Sequence, residues 1–222
     1  MRFSIKNMIN KIIDVIWQNR RWIIMLLFMI IFYEILDNVV DDDIYNFDVA
    51  GYEFVTANMT EAKTKIAKII TRMASPLVLG LLAVSVCISV KDKKLKYSII
   101  SNLAIAALLN FIIKNIIQRP RPVEHRLIDE TGYSFPSGHS MVSMAFYGYL
   151  IYIINKYVDN KIIKIISTIA LTILIILIGM SRIYLGVHYT SDVCGGFCVA
   201  ISYLMLYTGI LKGMFNKNQE EK

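Results

Sequence analysis

Six stretches of predominantly apolar sequence, each near the roughly 20 residues needed to cross a hydrocarbon core of about 30 Å, constrain this chain more than any other feature. They lie near residues 22–36 with flanks, 66–90, 97–117, 138–156, 162–180 and 190–211. The expected fold is all-α, a six-transmembrane-helix integral membrane bundle. Composition agrees, because 56% of the 222 residues are hydrophobic and only 18% are charged, which is too apolar for an ordinary soluble domain. No repeat or low-complexity linker divides the chain, so residues 1–222 read as one domain. The second stretch is the least regular: Lys68 and Arg72 interrupt its start and Ser75-Pro76 suits a helix N-terminus. Residues 61–73 therefore read as a separate interfacial helix.

Lys and Arg in short loops bias a segment toward the cytoplasm. Before the first span stand Arg2, Lys6, Lys11, Arg20 and Arg21 against Asp14, so residues 1–21 read as a cytoplasmic N-terminal segment. Six crossings then put the net-basic linkers at 91–96 and 155–164, and the C-terminus, on the same side. The outer face receives residues 37–62, an acidic loop carrying Asp37, Asp41, Asp42, Asp43, Asp48, Glu53 and Glu61. The first span lacks a polar-to-small cleavage pattern and reads as a retained anchor. Cys87, Cys194 and Cys198 read as small buried apolar residues. The net charge of +7 is explained by basic helix ends, so no nucleic-acid partner is expected.

With that topology, the unusual polar residues share one face. Lys114 to Pro122 closes the third span, Phe135 to His139 opens the fourth, and Ser181 to Asp192 joins the fifth to the sixth. A Ser-Gly-His sequence at a helix start offers free backbone N–H groups and the positive end of the helix dipole, a cradle for an anion at Ser137 and Gly138. Lys114, Arg121 and Arg182 add three cations suited to phosphoryl oxygens. His188 and Asp192, spaced i, i+4, fall on one helix face, where the carboxylate can hold the imidazole as a nucleophile. His139 stands apart, placed to protonate a leaving oxygen. His125 reads as a solvated loop histidine. No cluster of Asp, Glu or His has metal-ligand spacing, so neither metal nor cofactor is expected.

These three pieces resemble the motifs of the type 2 phosphatidic acid phosphatase superfamily, K-x6-RP, PSGH and SR-x5-H-x3-D. The chain supplies Lys114 with Arg121-Pro122, then Pro136-Ser137-Gly138-His139, then Ser181-Arg182 with His188 and Asp192. The resemblance runs from about residue 66 to residue 211, with the motifs at 114–192. It implies a metal-independent lipid phosphatase with its site at the outer interface. By that resemblance His188, His139 and Asp192 are catalytic, through a phosphohistidine on His188, and Lys114, Arg121, Ser137, Gly138 and Arg182 bind phosphate. Arg119 also precedes a proline and stands as an auxiliary cation.

Two other classes carry similar features. Vanadate-dependent haloperoxidases share the three motifs, although six spans without a soluble helical domain argue against an oxidoreductase. A non-catalytic lipid-phosphate binding or transport protein would need only the cations, and both histidines and Asp192 are retained. Substrate candidates are phosphatidylglycerol phosphate, phosphatidic acid and undecaprenyl diphosphate, the PSGH form resembling the bacterial phosphatidylglycerophosphatase-type members. Abundant Ile, Lys and Asn suggest an AT-rich bacterial genome, and the expected location is a bacterial plasma membrane. Outside the motifs, Lys65, Lys68 and Arg72 form one basic stripe at helical spacing, near the expected outer mouth.

Overall fold

The computed structural model describes residues 5–220, and over them the chain is helical with no strand. In chain order the described helices are α1 (Ile5–Val40), α2 (Tyr45–Thr56), α3 (Glu61–Arg72), α4 (Pro76–Ser89), α5 (Lys93–Ile117), α6 (Gly138–Tyr157), α7 (Lys161–Tyr184) and α8 (Thr190–Glu220). Arg2 and the last two residues, which enter the charge pattern, lie outside the described residues.

By length and composition α1, α5, α7 and α8 can each cross a membrane, and α3 with α4 makes a fifth candidate if that pair, bent by 53°, is one span. The bend falls where the sequence places it. Arg72 ends α3, Ser75 accepts from the Val78 amide as the cap of α4, and Pro76 occupies its first turn, where the missing N–H costs nothing. The fourth expected span is α6, 20 residues long, which packs against α5, α7 and α8. Met141, Ala145, Phe146 and Tyr147 are buried there together with Ser140 and Ser143. A helix that faces mostly protein rather than lipid can carry such polar residues when neighbours accept their hydrogen bonds.

Two expectations need correcting. Residues 5–21, the described part of the expected N-terminal segment, are not separate from the first span, since α1 is continuous over 36 residues. That is about 54 Å at 1.5 Å per residue, longer than a hydrocarbon core. The acidic stretch 37–62 is not an open loop either: it contains α2, and Asp48 within it is buried. Of the cysteines, Cys198 is buried while Cys87 and Cys194 are only half-buried.

The main core joins α5, α6, α7 and α8 through Ile99, Ala106, Met141, Ala145, Ile178 and Ala200, all with no exposed surface. Toward the start of α5, tyrosines tie the same helices: Tyr149 donates to Ser98 Oγ at 2.7 Å and Tyr207 to the Ser98 carbonyl at 2.7 Å. At the other end, α5 stops because Gln118 turns left-handed (φ 53°) and Arg119-Pro120-Arg121-Pro122 cannot supply the amide hydrogens a helix needs. Three of the four prolines lie in this linker.

α2 closes the same end by packing on α7 and α8. Its Gly51 makes the approach possible: a Cβ there would sit 2.2 Å from Thr190 Oγ1 and 2.6 Å from Cγ2, contacts a β-branched side chain cannot evade. Gly51→Val is therefore expected to lower the thermal unfolding midpoint of the purified protein by several degrees, through an overpacking cost of about 1–3 kcal/mol. Gly80→Val, which faces open space, should leave the midpoint nearly unchanged.

Candidate active site

The linker between α5 and α6 (118–137), the first turn of α6 and the α7–α8 turn converge at one end of the bundle. His188, in that turn, is buried. Its Nδ1 lies 3.3 Å from Asp192 Oδ2, and its Nε2 lies 3.0 Å from Arg121 Nη1. A carboxylate only accepts and a guanidinium only donates, so these neighbours select the tautomer with hydrogen on Nδ1 and a lone pair on Nε2. Asp192 is fully buried. Its Oδ2 also accepts from the Tyr189 amide at 2.8 Å and from Ser134 Oγ, and its Oδ1 accepts from Arg119 Nη1 at 2.8 Å.

The three expected cations are held in different ways. Lys114, in the last turn of α5, donates from Nζ to the Tyr133 carbonyl at 2.7 Å, and its Cε would lie 3.8 Å from a Cβ on Gly138. Arg121 donates to the carbonyls of Gly132 (3.0 Å), Thr131 (3.0 Å) and Val187 (2.9 Å) as well as approaching His188. Arg182 is 1% exposed. Its Nη1 donates to Thr71 Oγ1 at 2.7 Å and its Nη2 to Glu130 Oε1 at 2.5 Å, while its buried Nε has no acceptor among the described residues. A buried guanidinium N–H without a partner is costly, and an anion beside Arg182 would remove that cost. His139, in the first turn of α6, is within electrostatic reach of Arg182, Glu130, His188 and Lys114.

Two motif residues serve the backbone first. Ser137 is the N-cap of α6, its Oγ accepting from the Ser140 amide at 3.5 Å and from Ser140 Oγ at 3.0 Å, and its own amide donates to the Asp192 carbonyl at 2.9 Å. Gly138 lets α5 and α6 close, because a Cβ would stand 2.9 Å from Asn110 Oδ1, whose amide in turn donates to the Pro136 carbonyl at 3.2 Å. Arg119 has a role of its own: Nη2 meets Asp48 Oδ2 at 2.7 Å while Nη1 meets Asp192. Its fork is divided between two carboxylates, whereas Arg121 faces Nε2 of His188.

Sequence reading missed Asp48, Glu130, Ser134 and Thr71. Asp48 is one of seven acids in its segment and Ser134 an unremarkable linker serine, so neither carries a pattern before the fold assembles them. His125 is exposed, as expected, but its ring stacks on Tyr52 at 5.6 Å between centroids. A cavity of about 780 Å³ lies between the end of α1, α2, the linker and the α7–α8 turn. His188, Arg119 and Tyr189 line it together with Val39, Val49, Ile117 and Val123.

Burial is the largest influence on His188 and lowers its pKa from the ordinary 6.5 to about 4; hydrogen bonding and charge from Asp192 oppose the shift, and Arg182 and Arg121 reinforce it. Burial also lowers Arg121, helped by Arg182, whereas for Arg119 the attraction of Asp192 and Asp48 outweighs burial and raises the pKa. Glu130 is raised by burial but lowered further by Arg182, and the net direction is down. Among the described residues no group of three or more His, Cys, Asp or Glu could hold a metal ion.

An apolar helical bundle that collects two histidines, a buried Asp and four cations at one end defines the class of this protein. It belongs to the PAP2 superfamily, whose family model matches residues 96–214. The chain is 39% identical over 104 residues to phosphatidylglycerophosphatase B of Bacillus subtilis (strain 168), a match covering 46% of this chain and 51% of that protein. It thus spans about half the length of that curated relative. Among solved structures, the first transmembrane PAP2-type phosphatidylglycerolphosphate phosphatase from Bacillus subtilis superposes with a TM-score of 0.78 at 24% identity, over 85% of this chain and 96% of that one. Aquifex aeolicus LpxE superposes with a TM-score of 0.56 at 22% identity, over 70% and 92%. These two likenesses establish a shared fold.

The chain has three histidines, so nitrogen-15 labelling of their rings gives a readable titration. The His188 midpoint is expected well below 6.5, in the direction of 4. Arg121→Gln should raise it, since a nearby positive charge disfavours the imidazolium, and Asp192→Asn should lower it further.

Proposed function

We propose that this chain is a membrane lipid phosphatase that removes the phosphate of a phosphatidylglycerol phosphate-like lipid through a phosphohistidine on His188. The observation that carries the proposal is the His188 ring, held by Asp192 at Nδ1, approached by Arg121 at Nε2 and lying in the wall of a cavity large enough for a lipid headgroup. The 39% identity over 104 residues to a phosphatidylglycerophosphatase favours that substrate over undecaprenyl diphosphate.

In the first step the Nε2 lone pair attacks phosphorus, the bond from phosphorus to the lipid oxygen breaks, and His139 gives that oxygen its proton. Asp192 stabilises the resulting charged imidazole through the Nδ1 hydrogen. A water then attacks phosphorus and loses its proton to His139, which restores His188 and releases inorganic phosphate. Arg121, Arg182 and Lys114 neutralise the phosphoryl oxygens, with Ser137 and Gly138 closing the site at the start of α6. Arg182 has its free Nε for this purpose, and Arg121 exchanges its bond to His188 for one to phosphate. The positive charge comes from side chains, so turnover is expected to need no metal and to persist in EDTA.

In the bilayer, α1, the bent α3–α4 pair, α5, α6, α7 and α8 make six crossings with both termini cytoplasmic. The site then faces the extracytoplasmic side, as the basic linkers at 91–96 and 155–164 favour.

Phosphate release from phosphatidylglycerol phosphate, phosphatidic acid and undecaprenyl diphosphate in detergent micelles tests the reading, with bromide peroxidation run beside it. His188→Ala should lose the phosphoenzyme and all turnover. His139→Ala should lose far more on lipid phosphate than on a nitrophenyl phosphate, whose leaving group needs little protonation. Absence of phosphate release from the unaltered protein on every lipid rejects the proposal.

Lys65, Lys68 and Arg72 lie on α3, whose adjoining face carries Thr71 to Arg182 and Thr64 to Tyr184 (3.1 Å). Lys65 pairs with Glu61 at 2.7 Å, both ends exposed, and Ile66 and Ile69 are exposed nearby. We assign this stripe to anionic headgroups at the mouth of the site. Replacing the three by Gln should raise KM for lipid phosphate in anionic vesicles, less so at high salt, with turnover of a soluble ester unchanged.

A further inference from the structure

Asp48 lies on α2, outside the residues that match the family model, yet it reaches the centre of the site. It is 5% exposed. Its Oδ1 accepts from the Ser191 amide at 2.7 Å, which caps the first turn of α8. Its Oδ2 accepts from Ser191 Oγ at 2.9 Å and from Arg119 Nη2 at 2.7 Å. The other prong of Arg119, Nη1, meets Ser191 Oγ and Asp192 Oδ1, both at 2.8 Å. The guanidinium plane is further held over the Tyr189 ring at 4.1 Å.

The division of that fork has a consequence for Asp192. A guanidinium facing a single carboxylate prefers to engage both oxygens at once. Here one nitrogen is retained by Asp48, so Arg119 takes only Oδ1 of Asp192 and leaves Oδ2 for His188, Ser134 and the Tyr189 amide. Without the Asp48 charge, Arg119 could turn both prongs on Asp192 and compete with His188 for Oδ2. Two buried carboxylates sharing one guanidinium also keep more negative charge at Asp192 than an exclusive pair would, and that charge is what stabilises a positive imidazole.

We infer that Asp48 is a positioning residue for phosphoryl transfer: through Arg119 it fixes which oxygen of Asp192 is offered to His188. The inference rests on the phosphohistidine reading above. It also gives α2 a function in the chemistry, because the helix carries Asp48 into place only when Gly51 lets it close on Thr190.

The test uses the full chain purified in detergent, with phosphatidylglycerol phosphate and phosphatidic acid in mixed micelles and inorganic phosphate as a competitive probe. Asp48→Asn keeps the shape and removes the charge. It should reduce kcat about tenfold to a hundredfold, the scale of a misplaced catalytic group, while KM and inhibition by phosphate change less than about twofold. Arg119→Lys keeps the cation but cannot bridge two carboxylates. It should show the same kcat loss, and adding Asp48→Asn to it should cost little more, since both act on one connection. Ser191→Ala leaves the Asp48–Arg119 ion pair in place and should lose much less kcat, and Arg119→Lys carries the test if Asp48→Asn fails to accumulate. A kcat near that of the unaltered protein in Asp48→Asn, a loss appearing in KM instead, or losses that multiply in the double variant would overturn the inference. Inactivity of the unaltered protein would instead reject the phosphatase reading itself.

Discussion

The buried carboxylate of Asp192 is the constraint on which the motif-bearing end of the bundle depends. It has no exposed surface, and an unpaired charge in that position would cost several kcal/mol even after relaxation. Each of its oxygens is therefore answered by donors from separate parts of the chain: Arg119 and Ser134 from the α5–α6 linker, the Tyr189 amide from the α7–α8 turn, and His188. Satisfying one carboxylate draws the linker down onto α8. The Asp192 carbonyl also receives the Ser137 amide, which fixes the start of α6 and hence His139. The geometry of both histidines thus follows from a single desolvated charge.

The cations at the same end are arranged by the opposite logic. Arg119 is neutralised by two carboxylates and stays with them, whereas Arg121 is held mostly by backbone carbonyls, which fix its position without cancelling its charge. Arg182 is intermediate, with one prong on Glu130, one on Thr71 and Nε unpaired among the described residues. Such differences decide which cations have charge available for an oxyanion. They arise from the partners rather than from the residue type, because all three side chains are arginine.

The parts of the chain before residue 96 lie outside the family match and still contribute to the site. α2 brings Asp48, and α3 brings Thr71 to Arg182 and Thr64 to Tyr184. A bundle whose motif residues sit on α5, α6, α7 and α8 and the segments between them is thus roofed by two short helices from an earlier, less regular segment. Short helices suit that role, since they can lie across the ends of longer helices and bury polar side chains such as Asp48 and Thr71 there.

Much was legible in the sequence for a physical reason. Spanning helices announce themselves by length and apolarity, α3 and α4 by Ser75-Pro76, and the three motifs by residues whose chemistry few other arrangements need, so Lys114, Arg121, His139, Arg182, His188 and Asp192 could all be placed at one end before any fold was in view. Ser137 and Gly138 were legible as site residues, but their packing against Ser140 and Asn110 was not. Asp48, Glu130 and Ser134 were invisible, because a single acid or serine has no periodicity and its meaning comes from a partner dozens of residues away: Asp48 stands 143 residues from Ser191 and Ser134 stands 58 from Asp192. Sequence determined the helices and the chemical inventory, since both depend on residue type and local spacing. Only the tertiary structure decided that Arg119 clamps carboxylates while Arg121 faces Nε2 of His188, because two arginines in one Arg-Pro-Arg-Pro stretch are alike until long-range packing gives each its own neighbours.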